Sequence, residues 1–181
     1  MSEGRVEREL RDTARLMVRA GLVPADEQEA ALVRVVADLM PDTDPTVLAK
    51  AWLHAARRQH AQEAAGWVSP TDHDRLRAAM TECARHGVAV LAGVDDMAMV
   101  RQRVESADPP LRGVIWFSEQ AVWQAIDHGS LEAGLRHGQG HPVQPGDELA
   151  QAVLGCMERH GLVARVRPGI LDVACRWQRR V

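Results

Sequence analysis

The change of hydrophobic period at Gly87 constrains this chain most. Before that glycine, apolar residues recur at helical intervals. Directly after it, Val88-Ala89-Val90-Leu91-Ala92 is short, β-branched and apolar, the pattern of a buried strand. Three helical stripes come well before it. One over 3–19 spaces Val6, Leu10, Ala14 and Met17 on one face, with Gly21 as its stop. A second over 26–40 aligns Leu32, Val35, Val36 and Leu39, and Pro41 closes it. A third opens with Asp44 as cap and Pro45 at the first helical position, and ends at Gly66. Residues 66–70, Gly-Trp-Val-Ser-Pro, read as a connector.

Beyond the connector, helices and strands alternate. A helix over 72–86, with Thr71 or Asp72 as cap, carries a stripe of Leu76, Met80, Cys83 and Ala84. The 88–92 strand, a helix over 96–105 and the strand 112–117 (RGVIWF) follow. Ser118 then caps a helix with Ala121, Val122 and Trp123. Residues 130–137 read as a strand, and Asp147 opens a helix with Leu149, Val153, Cys156 and Met157 inward. The runs 162–166 and 170–177, separated by Arg167-Pro168-Gly169, predict a terminal hairpin. The expected fold is α+β: an N-terminal three-helix segment over 1–67, then a 70–181 domain with a mixed sheet of four or five strands packed with helices.

The residues that are missing remove several chemistries. There is no tyrosine, and Lys50, the one lysine, sits mid-helix after Ala49, where neither a Schiff base nor a phosphate-binding Gly-Lys-Ser/Thr loop is expected. Gly138 and Gly140 lack the third glycine of a dinucleotide fingerprint and run into Pro142. No apolar run approaches the roughly 18 residues of a membrane span. The charged N-terminus has no signal-peptide core, and three widely spaced cysteines predict a reducing, cytoplasmic setting. Cys83, Cys156 and Cys175 are expected as core thiols. No cofactor is expected.

Three groups of residues could carry function. The first is Trp116, Ser118, Glu119 and Gln120, where a strand empties into a helix N-terminus. Unpaired N–H groups and a positive partial charge there suit a polar or anionic ligand. The simpler account is a cap, a dipole partner and a core tryptophan. The second is His128, His137 and His141 with Asp127 or Asp147, which have metal-ligand chemistry but lack helical spacing. The third is Arg165, Arg167 and Arg176, which would make a basic patch on one face of the hairpin. No aromatic residues are interleaved there for base stacking, and the net charge of −3 adds no bulk attraction to nucleic acid.

The segments DHDRLRAAMTECARHGVAV, RGVIWFSEQAVWQAIDHGSL and MERHGLVARV resemble an uncharacterised, actinobacterial-type bacterial family described only as a domain of unknown function. The resemblance runs over nearly the whole chain. It implies N-terminal helices and a C-terminal α+β domain, and no activity. Relatives carry Cys-Cys-x-x-Cys after the first strand, where this chain has LAGVDDMAMV. They also carry an aromatic-His-x-Gln-Asp segment after the second, where this chain has Phe117-Ser118-Glu119-Gln120-Ala121. With those positions changed, the first expectation is a non-catalytic cytoplasmic accessory protein that binds a protein or a small polar ligand. The second is a small metal-dependent or His/carboxylate enzyme. The third is an arginine-mediated nucleic-acid or regulatory protein. An open edge on the terminal hairpin would allow a homodimer.

Overall fold

The computed structural model describes residues 3–180. Its contacts divide the described residues into two units, one of 3–68 with 179 and 180 and one of 69–178. The first unit holds α1 (Glu3–Ala20), α2 (Gln28–Leu39) and α3 (Pro45–Ala65). The Asp44 carboxylate accepts the N–H groups of Thr46 (3.0 Å) and Val47 (3.1 Å), so the cap that the sequence announces is made. The core of this unit is one cluster around Leu10, Ala14, Leu32, Val36, Ala49 and Leu53. His60 is also buried, edge-on to Trp67 with ring centroids 5.5 Å apart.

The second unit is α4 (Asp72–Arg85), β1 (Val88–Ala92), α5 (Met97–Glu105), β2 (Gly113–Phe117), α6 (Glu119–His128), β3 (Ser130–His137), α7 (Glu148–Arg159), β4 (Val163–Arg167) and β5 (Ile170–Ala174). A full capping box starts α4: Thr71 Oγ1 accepts the Asp74 N–H, and the Asp74 carboxylate accepts the Thr71 N–H. The five strands form one mixed sheet in the order β1-β2-β3-β5-β4. The β1–β2 pair is parallel, as its helical crossover α5 requires, and the other pairs are antiparallel. Gly169, at φ 72°, supplies the left-handed residue of the β4–β5 turn.

Register sorts every strand residue onto one of two faces. On the first, Val88, Ile115, Leu135, Leu131, Leu171 and Val173 are each 3% exposed or less. On the second lie Ala89 and Val114, covered by Val100 of α5, with Leu91 and Trp116 beside them. Farther along that second face the register brings Glu132, Asp172, Arg165 and Arg167 into neighbouring positions. The first face is therefore apolar except for His137 at the end of β3, and the other passes from apolar to charged across the sheet. Among the described residues, no helix is long and apolar enough to cross a membrane.

Candidate functional site

The 116–120 junction forms as a strand end leading into a helix. Ser118 Oγ accepts the Ala121 N–H at 3.0 Å and caps α6. Glu119 is half-buried. Burial first, and the charge of Asp95 second, hold its carboxyl above the usual carboxylate range. An anion approaching this helix end therefore meets two acids. Gln120 is exposed. Trp116 points away from that group, onto the α5 face, where its ring covers Gly134. A Cβ on Gly134 would stand 2.1 Å from the ring. The Arg136 guanidinium lies 6.0 Å from the same ring centroid. The four residues expected together are thus divided between two surfaces.

The histidines divide as well. His128 is exposed at the end of α6, and β3 carries the chain about 24 Å onward before His137. His137 and His141 stack with centroids 4.3 Å apart, and His137 Nε2 lies 2.9 Å from Asp147 Oδ2. Asp147 stands at the start of α7 as expected, yet its side chain caps no helix N–H. Its Oδ2 accepts the Gln144 N–H at 2.7 Å. That bond first and His137 second hold its carboxyl below the usual range. The cluster fastens the loop between β3 and α7. Among the described residues, no group of three His, Cys, Asp or Glu side chains could hold a metal ion.

Arg165 and Arg167 share the second face, but with acids between them. Asp172 Oδ2 accepts Arg165 Nε at 3.0 Å and Arg167 Nε at 2.7 Å, and Glu132 accepts Arg167 Nη2 at 2.8 Å. Two cations thus stand against two anions. The hydrogen bond from Arg167 is the largest cause holding the Asp172 carboxyl low. Arg176 lies past the end of β5, with its N–H on Asp72 Oδ2 at 3.1 Å and its side chain against Gly129.

Two cavities of the second unit involve other residues. One, of about 470 Å³, opens between α5, β2 and the 138–140 loop. Met97, Val100, Val104 and Val114 make its apolar wall, and Arg101, Arg136, Glu105 and Gln139 its polar one. The helical spacing of Met97, Val100 and Val104 is visible in the sequence, but the approach of residues 138–140 depends on the sheet. A smaller cavity of about 230 Å³ is lined by α4 and α7 residues including Cys83, Cys156 and Arg159. At its rim, Glu82 Oε1 accepts Arg159 Nε (2.8 Å) and Nη2 (2.6 Å), while Oε2 lies 2.9 Å from His160 Nε2. In the helical unit a shallower groove of about 900 Å³ runs between α1 and α3 over Trp52. None of the three is lined by Trp116, Ser118, Glu119 or Gln120.

The sequence model of the family described as "Domain of unknown function (DUF6891)" matches residues 3–181, and the chain belongs to that family. No curated protein and no solved structure matches it.

Proposed function

We propose that this family member is a non-catalytic accessory protein of the cytoplasm that binds a small amphipathic ligand in the α5 cavity. The ligand class is an aliphatic or aromatic carboxylate. The carrying observation is the cavity's composition at its size. About 470 Å³ lies within the roughly 300–1,000 Å³ of small-molecule sites. Its wall of Met97, Val100, Val104 and Val114 suits a hydrocarbon, and Arg101 and Arg136 suit a carboxylate. These groups supply apolar contact, charge and hydrogen bonds, which are the means of recognition. A cytoplasmic setting agrees with three free cysteines, all buried.

The test is thermal stabilisation by a panel of carboxylates of graded chain length. A ligand at ten times its Kd should raise the stability of the folded state by about 1.4 kcal/mol. Val100→Trp should fill the cavity and abolish the shift, and Arg136→Met should weaken it. Equal shifts in the wild type and in Val100→Trp would end this reading.

A homodimer is a second reading, favoured by the place of β4 at the sheet's edge with Val163 77% exposed. Sedimentation that stays monomeric at high micromolar concentration would remove it.

A further inference from the structure

We propose that Cys83 and Cys156 form a reversible thiol–disulfide pair, oxidised by a small peroxide admitted to the cavity between α4 and α7 and reduced by an external dithiol. The two cysteines come from the apolar stripes of different helices, Leu76-Ala79-Met80-Cys83 on α4 and Leu149-Val153-Cys156-Met157 on α7. Those helices pack against each other, and both cysteines line the same cavity. Cys156 is near enough to help hold the Cys83 thiol above the usual thiol range. At about 230 Å³ the space is below the usual range for a drug-sized ligand, yet it holds several molecules the size of water or hydrogen peroxide.

The polar rim makes the two sulfurs unequal. Arg159 Nη2 donates to Cys156 Sγ at 3.4 Å, so a cation faces the sulfur that must become a nucleophile. Cys83 has the Glu82 carboxylate for a neighbour. Burial above all, then Cys156 and Glu82, push its thiol up to about 12. Cys156 is therefore the first sulfur to react. Its thiolate attacks one peroxide oxygen, the O–O bond breaks, and the departing hydroxide takes up a proton as water, leaving Cys156–SOH. The sulfur of Cys83 then attacks that of Cys156. The S–O bond breaks, and the hydroxyl leaves as water with the Cys83 proton. One peroxide is reduced to two waters while two thiols become one disulfide. A dithiol later returns both thiols by exchange and keeps the second disulfide itself. Cys175, buried elsewhere in the unit, takes no part. This inference is independent of the α5 cavity and its ligand.

The experiment uses the full chain, reduced and folded, exposed to a small excess of hydrogen peroxide, then denatured and titrated for thiols. The expected result is loss of two of the three thiols, an intact mass lower by two hydrogens, and a proteolytic fragment joining Cys83 to Cys156. Dithiothreitol should restore all three. Cys175→Ala should behave as the wild type. Cys83→Ser should halt at a Cys156 sulfenic acid that a cyclic diketone traps. Three thiols surviving in the folded protein would overturn the proposal. So would conversion of single cysteines to sulfinic acid with no joined fragment in the wild type, a result independent of whether either variant folds.

Discussion

The two faces of the sheet use the same five strands for opposite purposes. On the face that carries Leu131, Leu135, Leu171 and Val173, these four side chains are sealed from water. On the other, α5 shelters only Ala89, Val114 and their neighbours, and beyond Trp116 the surface becomes an ion-pair network of Glu132, Asp172, Arg165 and Arg167. Alternation along each strand places the two chemistries one residue apart. Burial therefore concentrates on one side, while the other opens a cavity beside α5. The same contrast separates the cavities. The α4/α7 space is small and carries thiols, and the α5 space is larger and carries arginines.

The largest effect that can break this contrast comes from truncation on the sealed face. Leu135 is 0% exposed, and Leu135→Ala should cost about 3 kcal/mol by lost burial and the cavity left behind. That is a substantial part of an ordinary domain's stability of about 5–15 kcal/mol. Arg165→Ala, its counterpart on the open face, should change stability by about 0.5 kcal/mol or less, because its side chain is 76% exposed. Urea titrations of the two variants measure the ratio. Comparable losses would mean that the charged face is structural and that the division of labour is wrong.

A smaller effect sharpens the boundary between apolar and charged regions, where Trp116 lies on Gly134. Any side chain at position 134 enters space that the indole ring occupies. Gly134→Val should therefore cost about 2 kcal/mol, as overpacking does, and push the ring toward water. Tryptophan emission should shift to the red. Arg136, which sits over that ring and also lines the α5 cavity, should move with it, so carboxylate binding should fall too. An unchanged emission spectrum would show that the ring has room to yield.

Much of this architecture is legible before any coordinates, for local reasons. Asp44-Pro45, Thr71 and Ser118 each cap their own helix through bonds spanning two or three residues, so composition and spacing point to them, although the part of Asp74 in the Thr71 cap is seen only in the structure. Strand alternation in 170–174 is equally local. The insertion of β5 between β3 and β4 is not, since it is set by which apolar faces can be buried together. The sites suffer from the same limit. His128 and His137 look close in sequence but stand at opposite ends of β3. Cys83 and Cys156 look unrelated, and each fits an ordinary apolar stripe, until α4 and α7 bring them to one cavity. Asp147 opens α7, as its place in the sequence suggests, but the use of its carboxylate is not legible there. Its carboxylate serves Gln144 in the preceding loop and His137 at the end of β3, and no N–H of its own helix.

The smallest expected effect concerns Glu119, at the junction where Trp116 turns to one surface and Ser118 to another. Its folded-state pKa is raised by burial and by Asp95, so the folded chain holds this proton more tightly than the unfolded chain does. Between the unfolded and the folded pKa, the folded state binds more protons, and stability falls as pH rises through that window. Above both values the loss is complete, and below both the group contributes nothing. Glu119→Gln removes the charge while keeping the shape. It should raise the melting temperature slightly at neutral pH and leave it unchanged in acid below the ordinary carboxylate range. Solvent screening at this half-exposed position keeps the gain small. A variant destabilised at neutral pH would reverse the sign. It would mean that the Glu119 charge stabilises the start of α6 by more than its burial costs, and the helix end would then be a place where negative charge is welcome after all.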